Sequence, residues 1–373
     1  MNKATRCIHG ISKQTGRGLV NPIQPSTAYR YLDDDQLMYP RYFNTDDQRS
    51  VIGRLAALEG AEDGLLFSSG MAAITTCLLA LLDPGDGVVI QEGVYGGTSG
   101  FGQGELARLG MQVRFCPGTP ADVERALDVN TRVLMVESPT NPRLDVVDLR
   151  AIATLARSRG VLAVIDNTFA TPVNQNPLEL GFDLVIHSGT KYLGGHSDLS
   201  CGVVLGDSQL IARVMGKARN YGGNLNALDC HLLERSLKTL FVRVEAQNRT
   251  AGVLAAFLAD HRAIKAVHYP GLESHPGHAL ARGQMSGFGG MLSFELENRR
   301  DPMAFMRSLR LIVPALSLGG VDTTICQPAA TSHKGLDPAE RRRLGIGDGL
   351  LRLSVGLEHE DDLIHDLLEA LGQ

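Results

Sequence analysis

Lys191 stands in the stretch Ser188-Gly189-Thr190-Lys191-Tyr192-Leu193-Gly194-Gly195-His196, just past the apolar run Asp183-Leu184-Val185-Ile186-His187. The run reads as a short buried strand, so the lysine sits at a strand's carboxyl end among hydroxyls and glycines. A lysine desolvated there can lose its proton and form an imine with an aldehyde, which no other cationic side chain does. The same position suits a lysine whose stem snorkels to water. Ser188 and Thr190 can hold a phosphate. So can Ser69-Gly70-Met71, where small residues open a helix with free N–H groups facing outward; a plain serine N-cap would read alike. Asp166 ends the preceding strand candidate. A carboxylate there can pair with a protonated pyridine nitrogen and keep that ring an electron sink, or can cap a turn. Tyr95, in Tyr95-Gly96-Gly97-Thr98, can stack on a ring or stand in a surface turn. Arg352, between Leu351 and Leu353 on a strand, needs an anion: a substrate carboxylate or a structural ion partner.

The elements that must position these residues alternate in kind. Strand candidates are 88–90, 113–115, 133–136, 162–165, 184–186 and 203–205, with helical stretches such as 121–127 and 148–158 between them. A further strand-like run, 64–67, leads into the helix that ends at Leu82 before Asp83-Pro84-Gly85-Asp86. Continuous apolar strands separated by helices predict an α/β fold with a mostly parallel sheet covered on both faces. Ligands bind such sheets at the strands' carboxyl ends. The polar residues gathered there are Glu137-Ser138-Pro139-Thr140-Asn141-Pro142, Asp166-Asn167-Thr168 and Ser188 to Lys191. One long helix is expected over 231–261. Strands at 264–268, 290–296 and 350–355, with helices at 302–309 and 360–371, predict a smaller α+β domain. Residues 1 to about 45 have no sustained period but are rich in prolines and rings, as in an arm packed on something else; a helix is expected over 51–58.

The totals narrow the function classes. The chain has 373 residues, 43% hydrophobic and 21% charged, with a formal net charge of −5. The composition is ordinary for a soluble globular enzyme, and the length suggests two domains or one large domain with an appendage. No Lys/Arg block suggests nucleic acid or an anionic membrane, and no apolar run reaches membrane-spanning length. The start leads to no apolar signal core, so the cytoplasm is expected. Six scattered cysteines predict neither a disulfide framework nor a zinc knuckle. His275 and His278 flank Pro276-Gly277 and are expected as a solvated loop pair, so no metal site is expected. No G-x-G-x-x-G opens a helix after a strand, and there is no G-x-x-x-x-G-K-[ST].

Taken together, Tyr39-Pro40-Arg41, Ser68-Ser69-Gly70-Met71-Ala72-Ala73, Tyr95-Gly96-Gly97-Thr98, Glu137-Ser138-Pro139-Thr140-Asn141-Pro142, Asp166-Asn167-Thr168-Phe169, Thr190-Lys191-Tyr192, Ser317-Leu318-Gly319-Gly320 and Arg352-Leu353-Ser354-Val355-Gly356 form a specific signature. Over nearly its whole length the chain resembles the cystathionine/methionine-metabolism family of pyridoxal 5′-phosphate (PLP) enzymes. The resemblance implies the aspartate-aminotransferase-like fold. Residues 1–45 would be an arm reaching a neighbouring subunit, 46–235 the PLP-binding large domain with a mostly parallel mixed sheet, and 236–373 the C-terminal α+β domain. It implies a homotetramer built as a dimer of catalytic dimers. Lys191 would be the Schiff-base lysine, Asp166 the partner of the pyridine nitrogen, and Tyr95 a stacking and proton-transfer residue. Gly70, Met71, Ser188 and Thr190 would bind the phosphate, joined by Tyr39 and Arg41 of the adjacent subunit. Asn141, Ser317 and Arg352 would position the α-carboxylate of an amino-acid substrate.

The departures from the family also carry information. After Tyr39-Pro40-Arg41 the usual Asn-Pro-Thr reads Asn44-Thr45-Asp46, so the arm's turn should differ locally. Positions where cystathionine γ-lyases usually carry charge hold Met38, Gly100 and Leu316; the usual cysteine of methionine γ-lyases is Gly97. An apolar distal pocket follows, with no strong preference for cystathionine. The expected activity is a carbon–sulfur lyase of the transsulfuration type, by β- or γ-elimination. The alternatives are a γ-replacement enzyme, like cystathionine γ-synthase, using an O-acylhomoserine and cysteine, and a PLP-binding regulator without turnover.

Overall fold

The computed structural model describes residues 1–10, 18–32, 35–297 and 300–372. Seven strands form the larger sheet: β1 (Asp63–Phe67), β2 (Gly87–Gln91), β3 (Gln112–Cys116), β4 (Thr131–Glu137), β5 (Leu162–Asp166), β6 (Leu184–Ser188) and β7 (Gly202–Gly206). Their order is β1-β7-β6-β5-β4-β2-β3. The pairs β2–β3, β2–β4, β4–β5 and β5–β6 are parallel, while β7 runs antiparallel to both β6 and β1. The sheet is therefore mixed and mostly parallel, as the apolar runs predict.

Both faces are buried, and the strands' alternation shows it. Val88, Ile90, Val133, Met135, Val164, Leu184 and Ile186 join one core cluster; Val89, Leu134, Val136, Ala163, Ile165 and Val185 join another. Successive side chains point to opposite faces, so an unbroken apolar strand is what a sheet covered on both sides requires. Burying a Val, Leu or Ile side chain contributes about 1.5–3 kcal/mol relative to exposure, so this layer holds the sheet rigid under its loops.

A second sheet has order β10-β11-β12-β9-β8, from β8 (Ile264–His268), β9 (Met291–Leu296), β10 (Val313–Pro314), β11 (Thr324–Cys326) and β12 (Leu350–Ser354). It is antiparallel except at β10–β11. Among the described residues no helix is long and apolar enough to cross a membrane.

Local chemistry sets several element ends. Helix α1 spans Lys3–His9. Helix α2 spans Asp46–Glu59, longer than the apolar pattern suggests. Thr45 and Gln48 form a capping box at its start, and Gly60, at φ 78°, ends it. The altered Asn44-Thr45-Asp46 turn is closed by the Asn44 amide, which accepts from Tyr39 N at 3.0 Å and donates to Leu37 O at 2.9 Å. Helix α3 spans Gly70–Leu81 and α4 spans Gly96–Phe101.

Two expectations are corrected. The helix expected over 231–261 is two helices, Ala227–Leu237 and Leu240–Ala259, broken at Lys238-Thr239. Arg243 is the cause. Its guanidinium takes the Ser236 carbonyl at 2.9 Å, the Thr239 hydroxyl at 3.2 Å and the distant Tyr192 carbonyl at 2.9 Å. The Ser236 carbonyl thus accepts from this side chain as well as from Thr239 N at 3.2 Å, a tighter turn than the helix ladder. His275 and His278 are not a solvated pair either. His275 is buried, at 7% exposure, and accepts from Gly277 N; His278 begins a helix and bonds the Pro270 carbonyl.

Candidate active site

The parallel strands deliver their last residues to one edge. Glu137, Asp166 and Ser188 end β4, β5 and β6, and Glu137 lies directly beside Asp166 in the pairing register. Three residues past Ser188 the chain turns, with Lys191 N bonded to Ser188 O, so Lys191 stands at the edge of the same group. Gly195 closes the next turn, its N bonded to Lys191 O at 2.7 Å; its φ is 70°, and a Cβ there would lie 2.0 Å from Arg243 Nη1.

Lys191 Nζ donates to Ser317 Oγ at 3.0 Å. Ser317 comes from the segment before β11 and has φ 75°, a conformation rare outside glycine and held only where the surroundings demand it. The surroundings are visible. Arg352 Nη2 donates to the Ser317 carbonyl at 3.2 Å, and Gly319 N donates to Ser354 Oγ at 2.8 Å. Burial, then the Arg352 charge, lowers the Lys191 pKa from its ordinary value, which Asp166 only partly offsets. A lysine so placed has more neutral amine available than a surface lysine.

Asp166 is 6% exposed and accepts from both the backbone N and the hydroxyl of Thr168. Burial raises its carboxyl pKa, against the Thr168 bonds and the charges of His187 and Lys191. Glu137, equally dry, is raised well above the usual range by burial and by Asp166 beside it. The bonds from Thr168 oppose the rise at Asp166, as the backbone N–H groups of Tyr95 and Asn141 oppose it at Glu137. Glu137 Oε2 accepts from Tyr95 N at 2.8 Å, fixing the backbone at the start of α4. The Tyr95 ring is 44% exposed, and a Cβ on Gly97 would lie 2.5 Å from it and 2.8 Å from Met71 Sδ. The glycine therefore lets the ring settle beside the start of α3.

That start is a cradle. Ser69 caps α3 by accepting from Ala72 N at 3.1 Å, as the plain N-cap reading expects. The N–H groups of Gly70 and Met71 belong to the helix's first turn, where the backbone has no partner of its own. A Cβ on Gly70 would lie 2.8 Å from Ser188 Cβ and 3.0 Å from its Oγ, so glycine keeps the Ser188 side of the cradle open. Helix N-terminus and hydroxyl together suit a phosphate. The Thr190 hydroxyl is already engaged, accepting from Cys201 N at 3.0 Å and donating to Cys201 O at 3.3 Å.

Arg352, 5% exposed, donates Nη1 to Asn141 Oδ1 at 2.8 Å, while its buried Nε has no partner. A buried cation with an idle donor is a dock for an anion. The site thus unites Lys191, Asp166, Asn141, Ser317, Arg352, Tyr95, Gly70, Met71 and Ser188. Tyr39 and Arg41 are not among them. Arg41 donates to the Arg219 carbonyl at 2.7 Å and lies over the rings of Tyr39 and Tyr42 at 5.5 and 5.9 Å.

Sequence reasoning set Glu137 and Thr168 at the ligand edge without giving either a role, and missed His333. A glutamate ending an apolar strand, and a threonine two residues after a strand-end aspartate, were available signals. His333, 3% exposed, lies near Arg352 and bonds the Asn141 backbone, and burial and Arg352 push it down to about 4. No local pattern announces it.

Comparison with known proteins agrees with this geometry. The family described as Cys/Met metabolism PLP-dependent enzyme matches residues 4–372. Cystathionine beta-lyase MetC of Bacillus subtilis (strain 168) is 42% identical over 98% of this chain and 95% of its own length. L-methionine gamma-lyase of Pseudomonas putida is 43% identical over 99% of this chain and 96% of its own. The crystal structure of cystathionine gamma synthase from Xanthomonas oryzae pv. oryzae in complex with cystathionine superposes with TM-score 0.96 at 36% identity, covering 100% of this chain and 98% of that one. A match along the whole length, with a strand-end lysine, a buried aspartate and a phosphate cradle at one edge, places this chain in the Cys/Met metabolism family of PLP-dependent enzymes.

Proposed function

We propose that the protein is a carbon–sulfur lyase acting on a small sulfur amino acid, releasing a keto acid, ammonia and a thiol. The observation that carries this reading is Lys191, desolvated and hydrogen-bonded to Ser317, between the buried Asp166 and the Arg352–Asn141 dock. PLP fits the residues present: Gly70 at the start of α3 leaves room beside the Ser188 hydroxyl, and a buried carboxyl group stands at Asp166. When bound, PLP supplies an aldehyde for amines and a ring that draws electron density from the adjacent carbon.

The chain's own residues do the rest. Arg352 Nε and Asn141 grip the substrate carboxylate and fix the amino acid's orientation. Ser317 aims Lys191, whose neutral amine takes the proton from Cα. Asp166 would pair with the protonated ring nitrogen of the bound cofactor. Glu137 fixes the Tyr95 backbone so that the phenol can hand a proton to the departing thiolate. Gly70, Met71 and Ser188 would retain the phosphate, and Thr190 ties the turn before Lys191 to Cys201, just before β7.

The reading extends to assembly. The arm exposes Leu19 (83%), Leu32 (74%), Tyr31 (64%) and Leu37 (62%), more apolar surface than a free arm needs. In our reading it covers a second copy and brings Tyr39 and Arg41 to that copy's phosphate, within a tetramer of catalytic dimers. A γ-replacement enzyme is the second reading, favoured by the likeness to the cystathionine gamma synthase structure. Nothing at Lys191 or Asp166 suggests a regulator without turnover.

The test is product identification with cystathionine, methionine, homocysteine, and O-acylhomoserine plus cysteine. Keto acid with a free thiol supports the lyase. Cystathionine formed without keto acid overturns it in favour of replacement.

A further inference from the structure

Glu59 and His187 form an ion-pair contact with 0% and 1% of their side chains exposed, the driest such pair among the described residues. Glu59 closes α2, and its Oε1 accepts from His187 Nε2 at 2.6 Å. The same oxygen accepts from Asn167 Nδ2 at 3.0 Å, and Oε2 from Asn176 Nδ2 at 3.4 Å. Asn167 is in turn clasped by Gln175, which donates to its side-chain oxygen at 2.9 Å and to Ser138 O at 3.0 Å. His187 lies one residue before Ser188 and four before Lys191. Asn167 is the residue after Asp166. A single carboxylate therefore ties the β5 end to the β6 end and both to α2. The same network reaches, through Ser138, the segment that carries Asn141.

A carboxylate this dry is costly unless every oxygen is satisfied and a cation stands near. Among the described residues no lysine or arginine forms an ion pair with it; Lys3 on α1 feels its charge, but Lys3 Nζ is spent on the Val173 carbonyl at 2.8 Å. His187 is the partner, and it sits on β6 beside the Asp166 end of β5. The reaction as proposed gives neither Glu59 nor His187 a step.

We propose that Glu59 and His187 are positioning residues for the cofactor pocket, holding the ends of β5 and β6 in register so that Asp166 and Ser188 meet one PLP molecule. This rests on the reading of the pocket as a PLP site. A small displacement of either end separates the pyridine partner from the phosphate cradle, and the ring cannot satisfy both.

The experiment uses the full-length protein stripped of PLP and titrated with PLP. It compares wild type, Glu59→Gln, His187→Gln and His187→Leu, reading PLP affinity, the pH midpoint of the bound cofactor's visible absorption, and thermal stability. Glu59→Gln should weaken PLP about tenfold or more and move the midpoint by at least about half a unit. His187→Gln keeps an N–H donor for Glu59 and should retain more affinity than His187→Leu. If Glu59→Gln does not fold, the two His187 variants carry the comparison. Lower stability with unchanged affinity and midpoint shows a purely structural pair and overturns the inference. Failure of the wild type to bind PLP at Lys191 would instead overturn the reading of the pocket.

Discussion

Replacing Arg352 by lysine is the most informative single change at the carboxylate dock. The guanidinium is 5% exposed and meets Asn141 Oδ1 at 2.8 Å and the Ser317 carbonyl at 3.2 Å, leaving Nε for a ligand. Lysine keeps the charge but has no planar fork, so it cannot serve two fixed acceptors and a carboxylate at once. Losing one charge-assisted bond costs about 1.5–3 kcal/mol, and one abandoned buried acceptor about 1–3 kcal/mol. Arg352→Lys should therefore lower kcat/KM roughly 10²- to 10⁴-fold. The Ser317 carbonyl is one of the abandoned acceptors, so the Ser317 hydroxyl that aims Lys191 should also drift, and kcat should fall as well as KM rise. The assay is steady-state release of keto acid, with PLP content measured on each sample. A loss under about threefold at full PLP occupancy would show that the substrate carboxylate is held elsewhere.

Three further outcomes follow from named contacts. If Tyr39 and Arg41 serve a neighbour's phosphate, mixing inactive Lys191→Ala with inactive Arg41→Ala subunits should restore activity in hybrids; proven subunit exchange without recovery refutes the shared site. Leu316 is 66% exposed, so the distal pocket read from sequence is open in one chain. Leu316→Glu should then improve cystathionine over methionine and homocysteine by at most about fivefold, and a strong wild-type preference for cystathionine would contradict the reading. His333, held down to about 4, stays neutral in the folded chain while its unfolded form titrates near the ordinary value of about 6.5. Its contribution is complete above that unfolded value and is lost as pH falls through the window from 6.5 to 4. His333→Gln should flatten this part of the acid limb of urea unfolding by on the order of 3 kcal/mol, and an unchanged limb refutes it.

The residues legible in the sequence are those whose signal is local. The strands ending at Glu137, Asp166 and Ser188 are unbroken apolar runs because both sheet faces are covered, and the polar residues just past them mark the ligand edge. The Gly70 cradle shows as small residues opening a helix. What was not legible depends on residues distant in the chain. The Lys191–Ser317 bond joins positions 126 residues apart and needs a serine at positive φ, which no pattern in the sequence predicts. The helix break at Lys238-Thr239 follows from Arg243 reaching Tyr192. The burial of His275, and the turn of Arg41 toward Arg219, are likewise tertiary facts.

The central claim is that Lys191 carries the cofactor. Borohydride reduction of the purified protein, followed by proteolysis and mass mapping, tests it most directly. The account predicts one pyridoxyl group, on the peptide containing Lys191. A pyridoxyl group on any other lysine, or none at all in a protein that binds PLP, would contradict it.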